Sequence, residues 1–162
     1  MNKAISSNGQ GDSAHQERPV MMRGVRGATT VKNDDVDEVL EATRELLTMM
    51  VRVNDIDIDD IASIVLTTTD DLTSTYPAFA ARQLGWFDLA LLCGNEMHVS
   101  DGLPLCIRVL IHWNTSKTPK EIGHIYLRDA KSLRPDRDNI PPIRPVQMNN
   151  MEAAMRVLAQ NR

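Results

Sequence analysis

The sequence predicts an α+β fold in which a mixed β-sheet carries its helices on one face. Three observations lead there: several runs are rich in β-branched and apolar residues, one long segment has apolar residues at helical spacing, and the two kinds of segment alternate along the chain. With 162 residues, 42% apolar and 25% charged, the chain suits one domain with a genuine core.

Residues 1–19 are rich in Ser, Gly, Asn and Gln and offer little to bury. That predicts a disordered leader, expected to be dispensable, ahead of a domain over residues 20–136. "PVMMRGVRGATTV" (19–31) has strand character despite two glycines. In "NDDVDEVLEATRELLTMMVRVND" (33–55), Val36, Val39, Leu40, Thr43, Leu46, Leu47, Met50 and Val51 recur at helical spacing. Asp34, Asp35 and Asp37 suit that helix's N-terminus. "IASIVLTTT" (61–69) is the second strand. Thr75, Tyr76 and Pro77 open a short helix, "PAFAARQL" (77–84), and Gly85 closes it. "WFDLALLC" (86–93) reads as a third strand and "LPLCIRVLIHW" (103–113) as a fourth. "TPKE" (118–121) has the capping-box pattern, with Thr118 as cap and Glu121 reaching back, which predicts a helical turn. "HIYLRDAKSLRPD" (124–136) holds a fifth, shorter strand. Residues 137–162 form a proline-rich C-terminal extension whose Met151, Ala154, Met155 and Leu158 could make a short amphipathic helix.

A net charge of −4 gives no general attraction to nucleic acid or to an anionic membrane surface, so neither is an expected partner. No stretch approaches the roughly 20 apolar residues of a membrane span, and the first twenty residues lack the apolar centre of a secretory signal, so a cytoplasmic location is expected. Cys93 and Cys106 lack metal-ligand spacing and read as reduced thiols. His15, His98, His112 and His124 are scattered in the same way. Neither a metal nor a cofactor is expected, and no His–Asp arrangement flanks Cys93 to make it a nucleophile.

One arginine stands out. The fourth strand reads as wholly buried, because Leu105, Cys106, Ile107, Val109, Leu110 and Ile111 supply apolar side chains to both of its faces, yet Arg108 lies at its centre. Alternation puts Cys106, Arg108 and Leu110 on one face and Ile107, Val109 and Ile111 on the other. A guanidinium keeps its proton, so a buried one must meet either a carboxylate of the protein or an anionic ligand. Both readings stand at this point. Other charges occupy comparable positions: Arg23 and Arg26 in the first strand, Glu96 just after the third, and Arg134 after the fifth. Arg23 and Arg26 are three apart and face opposite sides unless a bulge at Gly24 intervenes, so one of them should be structural.

The segments "MRGVRGATTV", "YPAFAARQLGW", "LLCGNEMHVSDGLPLCIRVLI" and "HIYLRDAKSLRPD" occur in an order that resembles the monofunctional chorismate mutases of the Bacillus type. The likeness covers about residues 20–136. It implies a pseudo-α/β-barrel homotrimer, with active sites between neighbouring subunits that convert chorismate to prephenate in aromatic amino-acid biosynthesis without a cofactor. By matching motifs, the resemblance makes Arg108, Glu96 and Arg26 the catalytic set. Arg26 would bind a substrate carboxylate, Arg108 the ether oxygen and a carboxylate, and Glu96 and Cys93 would sit by the ring hydroxyl. Tyr126 would donate to a carboxylate, and Leu133 and Arg134 would come from a closing C-terminal segment. Tyr76, Ala78 and Arg82 would reach in from the adjacent subunit. Phe79 stands where relatives can carry lysine. The alternative is a non-catalytic trimer that binds a small aromatic carboxylate in the same clefts.

Overall fold

The structure, a computed structural model, describes residues 18–135. Most of the expected leader and the whole expected tail helix lie outside the described residues. Arg18, at the leader's end, reaches across to Glu121 with both guanidinium nitrogens, at 2.9 and 3.2 Å.

Strand β1 (Met21–Thr30) leads into helix α1 (Val36–Asn54), and a 3-10 turn at Ile58–Asp60 precedes β2 (Ile61–Thr68). Helix α2 (Ala78–Gln83), β3 (Leu91–Asn95), β4 (Cys106–Thr115), β5 (Ile125–Tyr126) and a 3-10 helix at Arg128–Leu133 follow. The strands form one mixed sheet in the order β3-β2-β4-β1-β5. β4 runs antiparallel to β1 and β2, while β3 is parallel to β2 and β5 to β1.

Helix α1 starts where Asp35 turns from extended backbone and accepts the amides of Asp37 and Glu38. It ends at Asp55, which takes the left-handed conformation. Its stripe of Val39, Leu40, Leu46, Leu47 and Met50 is buried, whereas Val36, at its first position, stays exposed. Leu46, Leu47 and Met50 pack on Val25, Ile64, Leu66, Val109, Ile111 and Ile125, while Val39 joins Val31, Leu72 and Ile107 in a second cluster. Burying side chains such as Leu46 and Leu47 contributes about 2 kcal/mol each. Close approach depends on Gly27, where a methyl group would overlap the Met50 sulfur and meet Leu46 Cδ1 at 3.1 Å.

Two expectations need correction. β4 is not wholly buried: from Ile107 to Trp113 buried and half-buried residues alternate, because among the described residues α1 covers one face of the sheet and the 3-10 helix at Arg128–Leu133 covers part of the other. β3 begins at Leu91, not Trp86. Its first ladder bond runs from Ile64 N to Ala90 O at 2.9 Å, and Trp86 and Leu89 pack on the core from an irregular connection. The turn expected at "TPKE" forms: Glu121 Oε2 accepts the Thr118 amide and hydroxyl at 2.7 Å each, and the Glu121 amide donates to Thr118 O at 3.0 Å. Beyond that turn, Asn54 holds Gly123 by both its amide and its carbonyl, at 2.8 and 2.9 Å.

Candidate active site

β1 and β4 pair without a break from Met21↔Thr115 to Thr30↔Cys106, so no bulge occurs at Gly24. Arg23 and Arg26 therefore face opposite sides. Arg23 is the structural one, its Nε donating to Lys117 O at 3.3 Å. Arg26 shares its face with Ala28, Thr67, Arg108, Leu110 and Tyr126, through the registers Ala28↔Arg108, Thr67↔Arg108 and Ala28↔Tyr126.

Arg108 meets a carboxylate of the protein. Its Nη1 donates to Glu96 Oε2, and the other Glu96 oxygen accepts the Thr67 hydroxyl at 2.6 Å. Glu96 is brought there by the end of β3, where its amide extends the ladder to Thr68 O at 2.9 Å. The pair is not sealed off, since the Arg108 side chain keeps 32% and that of Glu96 20% of its exposure. Two cavities adjoin it. One of about 450 Å³ is lined by Arg26, Ala28, Thr67, Arg108, Tyr126 and Leu133 among others. The second, about 430 Å³, is lined by Glu96, Asp70, Asp71, His98 and, again, Arg108 and Leu133. Arg134 follows directly and closes the 3-10 helix with its amide on Lys131 O at 3.1 Å.

The remaining expected residues lie elsewhere. A cavity of about 620 Å³ is lined by Thr73, Ser74, Tyr76, Phe79, Cys93 and Asn95, among others. Tyr76 is exposed ahead of α2, Ala78 begins that helix, and Arg82 stands one turn on with its guanidinium 5.6 Å from the centre of the Phe79 ring. Tyr76 meets the same ring edge-on at 6.4 Å. Cys93 pairs with Leu66 and so faces the α1 side of the sheet, away from Arg108. Burial pushes its thiol up, against the opposing influence of the Ala78 backbone and the Arg82 charge. Burial likewise holds the Cys106 thiol at about 11. Both stay protonated at neutral pH and are packing groups rather than nucleophiles.

The described histidines are partnered, and His15 lies outside the described residues. His98 pairs with Asp70 at 2.9 Å, His112 with Ser63 at 2.8 Å, and His124 accepts the Arg26 amide at 3.1 Å. Among the described residues no group of three or more His, Cys, Asp or Glu could hold a metal ion, and no helix is long and apolar enough to cross a membrane.

Sequence reasoning missed Thr67. In the sequence it is one more residue of the second strand, "IASIVLTTT", and only the register of β2 against β4 sets it beside Arg108.

Arginines from adjacent strands, turned toward one open cavity beside a half-buried ion pair, mark this as an α+β protein with a cavity suited to an anion. Residues 22–137 match the family model of chorismate mutase type I, and the chain belongs to that family. It is 45% identical over 120 residues to the chorismate mutase AroH of Thermus thermophilus, covering 74% of this chain and 98% of the relative. It is 40% identical over 118 residues to the AroH of Bacillus subtilis (strain 168), covering 72% and 93%. Among solved structures it resembles the chorismate mutase of Clostridium thermocellum, with a TM-score of 0.67 and 46% identity over 68% of this chain and 98% of that one.

Proposed function

We propose that the chain works as a homotrimer whose active sites lie between subunits, each joining the Arg108 side of one copy to the α2 side of its neighbour. The activity follows from the family: the chain is a chorismate mutase, an isomerase that turns chorismate into prephenate.

The reaction is a unimolecular [3,3] rearrangement of a dianion. One C–O bond breaks as one C–C bond forms, and no proton or group leaves. Catalysis then reduces to holding the compact pseudo-diaxial conformer and placing positive charge where the breaking ether oxygen gains electron density. Arg108 takes the second task. Its charge is permanent and its planar fork can reach the ether oxygen and a carboxylate together. Arg26 and Tyr126 bind carboxylates, Glu96 accepts the ring hydroxyl, and Leu133 with Arg134 closes the site. Tyr76, Ala78, Arg82 and Cys93 come from the neighbour.

The observation that carries this reading is that Arg108, although paired with Glu96, still borders open space that Arg26 and Tyr126 also line. That open space leaves room for an anionic ligand beside the pair. The division of the remaining residues supports the trimer, because Cys93 faces away from Arg108 within one chain and can join it only from another copy. Leu92, at 65% exposure, and the half-buried Val65 and Leu110 leave apolar surface on the same face as Arg108 for that contact.

The test is loss of chorismate absorbance with the purified full chain, paired with its mass in solution. Turnover without added metal or cofactor by a particle of three chains is expected. Saturable binding without turnover, or full activity in a monomer, would overturn the proposal.

A further inference from the structure

A guanidinium and a carboxylate left to themselves favour the two-pronged fork, with two parallel N–H···O bonds. Arg108 and Glu96 do otherwise: the hydrogen bond between them joins Nη1 to Oε2. The second oxygen, Oε1, is engaged by the Thr67 hydroxyl at 2.6 Å. Thr67 stands directly across from Arg108 in the β2–β4 ladder and borders the same cavity. The Glu96 backbone is fixed independently through its amide on Thr68 O, so Thr67 governs the carboxylate and not the chain that carries it.

We propose that Thr67 is a positioning residue for the rearrangement: its hydroxyl holds Glu96 to a single contact with Arg108 and so keeps the guanidinium's other donors turned to the substrate. The inference rests on the assignment of Arg108 and Glu96 to the site. Without the hydroxyl, Oε1 loses its partner in a half-buried setting and the carboxylate turns into the fork. A second N–H is then spent on the protein, and the ether oxygen of the transition state must compete for what is left. Ground-state binding of the carboxylates by the other arginines changes much less. The effect therefore falls on kcat rather than KM.

The experiment compares kcat and KM for chorismate in the trimeric full chain and in Thr67→Val, Thr67→Ser, Glu96→Gln and the double variant Thr67→Val/Glu96→Gln. Valine matches threonine in shape and suits a strand, and a thermal melt of each variant checks that the fold is kept. Expected are a kcat about tenfold lower in Thr67→Val with KM within about twofold, and recovery to within about threefold of the parent in Thr67→Ser. Adding Thr67→Val to Glu96→Gln should cost less than about twofold more, because the effect passes through Glu96. A parental kcat in Thr67→Val, a serine variant as slow as the valine one, or the full valine loss on top of Glu96→Gln would each overturn the proposal. If Glu96→Gln itself turns over like the parent, the site assignment falls, and the role of Thr67 with it. An impaired Glu96→Gln beside a normal Thr67→Val removes only the role of Thr67.

Discussion

Asp34 grips Thr73 twice, its Oδ2 accepting the threonine amide at 3.0 Å and the hydroxyl at 2.8 Å. Its other oxygen accepts the Ser74 amide at 3.0 Å. The aspartate just before the cap of α1 thus ties down the turn that leads into Tyr76 and α2. The Ser74 hydroxyl, followed by the Thr73 and Ser74 amides and the Thr73 hydroxyl, holds the Asp34 carboxyl at about 2, below its ordinary 3.8. A folded-state value below the unfolded one means that protonation favours unfolding. The stabilisation is complete above the unfolded value and disappears as pH falls toward 2. Asp34→Asn should lower Tm by about 3 °C at neutral pH and flatten the decline of Tm below about pH 4. Thermal melts across that range check it, and parallel curves for variant and parent would contradict it.

Arg108→Lys should lose kcat by on the order of a hundred- to a thousandfold, the cost of removing one well-placed donor from a developing anion. Lysine keeps the charge but cannot hold Glu96 and the ether oxygen in one plane. A neutral side chain of the same shape should lose about as much. Steady-state kinetics decide, and near-parental turnover in either variant would refute the role given to the guanidinium.

How much of this was legible in the sequence depends on range. The stripe from Val39 to Met50 and the long strands β1, β2 and β4 were readable because their periodicity is local and α1 selects one face of each strand. β3 was misplaced because a run such as Trp86–Leu89, apolar but for Asp88, looks the same whether it packs as strand or as irregular chain; the partner Ile64 settles where the ladder begins. "TPKE" carried a complete local signal, and the turn it predicts forms. In the site, Arg108 was conspicuous because a charge inside an apolar run demands a partner. Thr67 was not, because its neighbour lies 41 positions away and is fixed by register alone.

Asn54→Ala should destabilise the chain by about 2–3 kcal/mol, since it strands buried backbone groups. Asn54 is 1% exposed. Its amide nitrogen donates to Met50 O at 2.8 Å and Gly123 O at 2.9 Å, and its oxygen accepts the Gly123 amide at 2.8 Å. The Gly123 amide and carbonyl lose this partner together, and Met50 O loses its added bond. β5, two residues long, begins two positions after Gly123 and carries Tyr126, so kcat/KM should also fall at temperatures where the variant remains folded. Denaturant melts and kinetics on the same preparation check both. A loss of stability below about 1 kcal/mol would show that water replaces the amide at little cost.

The shared site makes a quantitative prediction about mixtures. If Arg108 acts from one subunit and Arg82 from the next, Arg108→Ala and Arg82→Ala should each be nearly inactive alone. A trimer containing both variants, in either ratio, has one site where an intact Arg108 faces an intact Arg82. Random equal mixing puts both variants into about three quarters of the trimers, so about one quarter of all sites, and about that fraction of parental activity, should return. Unfolding the two variants together and refolding them supplies the exchange, and the same treatment of each alone supplies the baseline. Activity that stays at the sum of the two baselines, in trimers shown by mass to be mixed, would place both arginines in a site built by a single chain.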